Sequence, residues 1–356
     1  MFLQKIRNKI YRTNTGLLPL DPDSRDLGFW ELFGVAYKPK HKKKFITPLT
    51  IKRQKFNTCS WNAAAGMKEI DEGVELSPRS IVIAGKQMGY ISGDGFSTLR
   101  NNQKVLQKFG IAEKKYLVEG SSGWNDYSNP KYLTEEVKKS AAVHKIKSYL
   151  RLYNTREIFK ALDEDRPVEI GIAWHTGFNM SGGFRSPWII RKPVGRFVGG
   201  HAIYLCGYDL SYRGIKVFIS VNSLGKNWGD NGFFYITPEF LEEQIRLYGA
   251  FINYDLDLDI TKWLIQHRNK VVKGSKPDVY LIQDGKKRRF PDLATFYAYG
   301  YLDGEIIRVD DRFLQAVPDG EPLQFWQGDR VKSIKAIIQQ RNNLKPIFKK
   351  YFNELF

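Results

Sequence analysis

Apolar positions change their period along this chain. Up to about residue 110 they recur mostly at helical spacing; from about residue 143 they alternate or run on, as in strands. Phe2, Ile6 and Ile10 stand four apart among basic residues and predict a short basic amphipathic helix. Asn14, Gly16, Pro19 and Pro22 then break the pattern, so residues 13–30 read as an extended crossing segment. Ser60 to Ile70 is a run of good helix formers with Trp61, Ala64, Ala65 and Lys68 on one stripe. Leu76-Ser77-Pro78 predicts a second helix, with serine as its cap, proline just inside and Gly89 closing it. Thr98 to Phe109 predicts a third, ended by Gly110.

Strand signals follow. His144 to Leu150 alternates, and Asn154-Thr155-Arg156-Glu157 reads as a capping-box helix start leading into Ile158–Leu162. Val168–Trp174, Ala202–Tyr208, Val217–Val221 and Phe233–Ile236 read as strands. Residues 256–276 are helix-like and serve as a linker. Beyond them Val279–Pro291 reads as a hairpin about Asp284-Gly285, Leu293–Tyr299 as a short helix and Ile306–Val309 as another strand. From Val331 the chain is basic and amphipathic, with Ile334, Ile337, Ile338 and Leu344 on one side.

Chemistry enters at three points of this pattern. Cys59 stands where a polar run gives way to the Ser60–Ile70 helix, facing unpaired backbone N–H groups and the positive helix end, both of which favour a thiolate. A lone cysteine near a helix start is more often inert core. His201 heads an apolar strand in Gly199-Gly200-His201-Ala202, and Asn222 ends the Val217–Val221 strand. Cysteine, histidine and asparagine are the parts of an activated-thiol site: nucleophile, base and orienter of the base.

These three segments resemble the papain-like cysteine peptidases, in bacterial or phage-like divergent form. The motifs are the Cys59-Ser60-Trp61 helix start, Gly199-Gly200-His201-Ala202, and the run from Asn222-Ser223 through Trp228-Gly229 to Gly232-Phe233. Asp21 to Leu27 resembles the lead-in of several bacterial members, and Gly93-Asp94-Gly95-Phe96 resembles the loop that lines the cleft and pairs with substrate backbone. The resemblance implies an α+β, two-lobed fold, with a helical lobe carrying Cys59 and an antiparallel sheet or barrel lobe carrying His201 and Asn222. It implies a cysteine endopeptidase in which Cys59 attacks a peptide carbonyl, His201 moves the proton and Asn222 orients the imidazole. The oxyanion donors it implies are the Cys59 amide and the side chain of Gln54, which stands five residues before Cys59 where the family has its glutamine six before. A second departure is Leu224, where the family usually has a tryptophan shielding the Asn–His bond. The alternative is a catalytically weak papain-fold protein that binds or builds within a larger assembly such as a virion.

Composition adjusts this picture. The expected organisation is a basic extension at 1–30, the peptidase domain at 31–255, a linker at 256–277, a small α/β accessory module at 278–330 and a tail helix at 331–356. A formal charge of +18 favours an anionic partner, nucleic acid or an acidic surface, through basic patches at 38–44 and 331–350, beside the polypeptide substrate. Two cysteines argue against a disulfide-stabilised secreted fold, and Cys206 reads as a small buried hydrophobe. Metal-ligand spacing is lacking and no cofactor is expected. The first residues lack the apolar run of a signal peptide, and nothing is long enough to span a bilayer, so a cytoplasmic or particle-borne protein is expected. The short stretch before Cys59 predicts activity that is not controlled by removing a conventional propeptide. The long loop from Gly177 to Gly200, aromatic and basic, is where substrate selection is expected.

Overall fold

The computed structural model describes residues 15–34 and 37–325. These divide into two compact units, residues 15–30 with 37–255, and residues 31–34 with 256–325. The amphipathic helix expected at residues 2–10 and the tail expected from Val331 lie outside the described residues.

The larger unit is α+β and two-lobed. Its helical lobe holds α1 (Cys59–Glu72), α2 (Pro78–Gln87), α3 (Leu99–Lys108) and α4 (Glu135–Val143) around Trp61, Ala64, Ile81, Val82, Val105, Leu106 and Val137. Every residue of α1 from Cys59 to Glu69 is buried, which accounts for its small side chains. The stripe of Trp61, Ala64 and Ala65 enters the lobe core. Cys59, Ala63 and Met67 pack instead with Ala202, Tyr204 and Cys206 of the sheet lobe. Lys68, at the end of the stripe, is 2% exposed and is neutralised by Glu72 at 2.5 Å.

The sheet lobe comprises β1 (Lys43–Phe45), β2 (Ser148–Leu152), α5 (Thr155–Asp163), β3 (Val168–His175), β4 (Ile189–Ile190), β5 (Phe197–Tyr212), β6 (Ile215–Val221), β7 (Phe233–Ile236), α6 (Pro238–Tyr248) and β8 (Ala250–Tyr254). The strand order is β2-β8-β3-β5-β6-β7-β4, with β1 paired to β5. Pairing is antiparallel except between β4 and β7. The Asn154 cap forms as its sequence indicates, its side-chain Oδ1 accepting from the Glu157 amide at 3.0 Å. The strand expected from His144 begins only at Ser148. The unmarked helix α4, capped by Thr134, runs up to Val143, and His144 ends it while bonding Glu72 at 2.7 Å.

The second unit contains α7 (Leu258–His267), β9 (Val271–Lys273), β10 (Tyr280–Gln283), β11 (Lys286–Arg289), α8 (Leu293–Ala298), β12 (Ile307–Arg308) and α9 (Asp311–Ala316). Its sheet runs β11-β10-β9-β12 over a core of Val271, Leu281, Phe290, Phe296, Tyr297 and Leu323. Asp284 and Gly285 turn the hairpin with φ of 50° and 73°, the positive pair of a type I′ turn. Residues 256–277 are not a simple linker. They supply α7 and β9, whose Val271 and Val272 pair with β10, and Val272 also with β12.

The 38–44 patch is partly neutralised within the larger unit. Lys40 meets Glu164 at 3.1 Å, Lys43 meets Asp209 at 3.9 Å and Lys44 meets Asp165 at 2.6 Å. Among the described residues no helix is long and apolar enough to cross a membrane.

Candidate active site

Cys59 is the first residue of α1, after the N-cap Thr58, whose carbonyl and hydroxyl accept from the Asn62 side chain. The Ala202 amide donates to Cys59 Sγ at 3.4 Å, which sets the residue after His201 against the thiol. His201 Nε2 bonds Asn222 Oδ1 at 2.9 Å, and that oxygen also accepts from the Ser223 amide at 2.8 Å. The other imidazole nitrogen, Nδ1, is buried without a hydrogen-bond partner among the described residues. Cys59, His201 and Asn222, far apart in sequence, therefore meet where α1 packs on β5 and the end of β6.

Gln54 is held close to this group but is engaged elsewhere. Its side-chain amide donates to the Phe56 carbonyl at 3.0 Å, and its Oε1 accepts from the Ser223 hydroxyl at 2.6 Å. Asn57 turns away to Asp94 at 2.6 Å.

Part of the segment expected to be extended upstream lies across the thiol, a place its sequence did not indicate. The segment from Thr15 to Leu20 runs between the two lobes as an extended strap. Gly16 donates its amide to Cys59 Sγ at 3.1 Å. Leu17 N–H bonds Gly200 O (3.1 Å), Leu18 N–H bonds Ser97 O (2.8 Å) and Ser97 N–H bonds Gly16 O (3.0 Å). The strap is thus antiparallel to β5 and parallel to the loop after Gly95. Gly16 is required by contact: a Cβ there would stand 1.6 Å from the Asn57 carbonyl oxygen. The Leu17 side chain is fully buried, and a Cβ on Gly171 would collide with it. Asp26, further along, accepts from Arg100 Nε at 2.7 Å and from Arg151 at 3.2 Å, while Arg100 also holds the Asp21 carbonyl at 2.9 Å.

Burial reverses the expected electrostatics. Cys59 is 0% exposed, and loss of water pushes its thiol up to about 11, although the Ala202, Gly16 and Ser60 amides pull the other way. The same cause pushes His201 down to about 4, against the opposing Asn222 bond. At neutral pH the pair is therefore a thiol beside a neutral imidazole. The lowered thiol pKa read from the helix start is not present while the strap is seated, because desolvation exceeds the helix-end effect.

Aromatic cover on the imidazole comes from Trp174 of β3, whose ring centroid lies 4.7 Å from that of His201. Trp228 lies behind it at 5.8 Å. His175 points to Phe178 and Phe197 and bonds the Ala173 carbonyl, so it stays outside the Cys59 group. Cys206 is buried as a free thiol. No group of metal-ligating side chains occurs among the described residues.

A thiol at a helix start, set against a histidine–asparagine pair on an antiparallel sheet, defines the papain-like fold. The chain belongs to that family: the model for papain family cysteine proteases matches residues 59–245. An uncharacterised peptidase C1-like protein of Acanthamoeba polyphaga mimivirus is 24% identical over 198 residues, 51% of this chain and 60% of its own length. A cathepsin B-like protein of Giardia intestinalis is 32% identical over 92 residues, 25% of this chain and 29% of its own length. The chain thus spans less than two thirds of the curated relatives it matches. Among solved structures, xylellain, a cysteine protease from Xylella fastidiosa, superposes with a TM-score of 0.56 at 22% identity, covering 68% of this chain and 97% of its own. Procathepsin B of Trypanosoma congolense gives 0.52 at 14%, covering 71% and 95%. These likenesses establish the fold.

Proposed function

We propose that this protein is a cysteine endopeptidase held latent by its own residues 15–20. The observation that carries the reading is the strap itself. An extended polypeptide lies between the lobes, pairs through its backbone with both walls and puts an amide on the Cys59 sulfur. The cleft accepts the substrate class that the family implies.

In the open state His201 Nδ1 takes the Cys59 proton, and the thiolate attacks the peptide carbonyl to form a C–S bond. Asn222 holds Nε2 so that Nδ1 faces the sulfur. The tetrahedral oxyanion is met by the Cys59 amide and by Gln54 once its amide leaves Phe56. His201 returns the proton to the departing amine, and water, deprotonated by the same imidazole, releases the acyl group.

A second reading has one observation in its favour, the complete burial of Cys59: a papain-fold binding or structural protein whose strap never leaves. The viral relative makes a virus-borne setting the natural place for either form.

The test is hydrolysis of a mixed peptide pool by the intact chain, by Gly16→Ala and by Gly16→Ala with Cys59→Ala, read by product mass. The peptidase reading expects cleavage, with water added across the cut bond, in Gly16→Ala and its loss with Cys59→Ala. A Gly16→Ala protein with an exposed thiol and no cleavage sinks it and leaves the binding reading.

A further inference from the structure

The β-ladder that carries His201 also delivers an aromatic ring to it. In the β3–β5 register Ile172 stands opposite His201 and Trp174 opposite Gly199. Side chains two apart on a strand share a face, so Trp174 is the diagonal neighbour of His201 on the same side of the sheet. Its direct partner Gly199 has no side chain to compete for that space. The ladder then slips between Trp174 and His175, so that His175 pairs with Phe197.

The ring is firmly placed. Trp174 is 3% exposed, and its Nε1–H donates to Asn179 Oδ1 at 3.0 Å. Phe178 meets it edge-on at 5.5 Å, Phe234 at 6.3 Å, and Trp228 closes the far side. Leu224, two residues beyond Asn222, offers no ring of its own.

We propose that Trp174 is the positioning residue of this site, its indole fixing the His201 ring and keeping water from the His201–Asn222 hydrogen bond. The inference rests on the peptidase reading. Two physical effects follow from the contact. An indole excludes the water that would compete for Nε2–H, which keeps that bond directional. The indole ring, tilted by 59° to the imidazole with its centroid 4.7 Å away, also lies within the distance of about 6 Å at which an aromatic ring attracts the imidazolium that forms when His201 takes the thiol proton. Trp174 does not touch the reacting atoms; it acts through His201.

The test uses the whole chain with Trp174→Phe and Trp174→Leu, the second keeping apolar bulk without a π face. The first readout is the downfield NMR signal of the His201 Nε2 proton and its exchange with water. The second is the Cys59 alkylation rate at neutral pH in the Gly16→Ala background. Trp174→Phe is expected to stay within about twofold of its parent in both, and Trp174→Leu to exchange faster and alkylate about tenfold more slowly, the rate equivalent of a partly buried cation–π contact. A Trp174→Leu protein matching its parent in both readouts overturns the proposal. Failure of the peptidase reading looks different: the Gly16→Ala parent would show no activated thiol, while proton exchange would still report on Trp174.

Discussion

The single atom that decides the state of this molecule is Cys59 Sγ, and two glycines govern access to it. Gly16 brings a backbone amide onto the sulfur where any Cβ would meet Asn57, and Gly200 lets the Leu17 carbonyl approach to 2.4 Å of where its own Cβ would be. Cys59 and Asn222 stood out in sequence because each marks the start or end of a regular element, whereas His201, which lies inside β5 rather than at its head, stood out by its Gly-Gly-His-Ala motif. Trp174 was visible only as a strand residue, since its meeting with His201 depends on register. Gln54 gives the residue-scale prediction. If it turns from Phe56 to serve the oxyanion, Gln54→Ala lowers kcat about a hundredfold in the opened enzyme with little change in KM. An unchanged kcat would leave Gln54 the task its present bonds describe, bracing Ser223 beside Asn222.

At the scale of elements, the strap is held from outside the cleft. Asp26 is 2% exposed at its side chain and faces two guanidinium groups, Arg100 and Arg151, themselves 9% and 10% exposed. Removing the carboxylate leaves two buried cations unpaired, a change that typically costs about 3–5 kcal/mol. Asp26→Ala is therefore expected to free residues 15–27, seen as faster backbone hydrogen exchange there and faster Cys59 alkylation; unchanged exchange would show that the anchor is dispensable. The sequence pattern of Gly and Pro correctly indicated an extended segment, yet nothing in it named the cleft as the place where the segment lies, because that contact spans distant parts of the chain.

A second element-scale effect concerns Glu169 of β3, fully buried and raised by burial to about 8 although the Asn102 and Gln103 amides of α3 lower it. Between pH 4.5 and about 8 the folded state keeps a proton that the unfolded state has lost, so this group makes stability fall as pH rises. His201 acts oppositely: depressed to about 4 from 6.5, it makes stability rise across that interval. Glu157, raised by burial to about 7, adds to the Glu169 slope below that pH. Glu169→Gln should remove a slope of up to about 1.4 kcal/mol per pH unit, so its unfolding midpoint gains on the parent from pH 6.5 to 8. A gap independent of pH would mean that Glu169 is ionised in the fold.

For the whole molecule, α+β architecture followed from the change of hydrophobic period near residue 143 together with the motifs carried on it. The second unit was legible as a hairpin and short helix, whereas α7 and β9 were read as linker because their apolar residues find partners only in three dimensions. Charge was the least informative feature. Part of the 38–44 patch is spent on internal ion pairs, which a count of +18 cannot reveal. The proposed latency joins these scales: the family's fold brings Cys59 to the His201–Asn222 pair, and the strap of residues 15–20 buries the thiol.

The most direct measurement is iodoacetamide alkylation of the intact chain and of Gly16→Ala across pH 4–9, read for each cysteine by mass spectrometry. In the intact chain Cys59 should react slowly throughout, as a thiol near pKa 11 must, and Cys206 should stay protected. In Gly16→Ala, Cys59 should react at neutral pH at least about a hundredfold faster, the gain in thiolate from restoring its ordinary 9.0, and adding His201→Ala should remove any further gain. Rapid alkylation of Cys59 in the intact chain at pH 7, or no change on substituting Gly16, would contradict a peptidase held latent by its own strap.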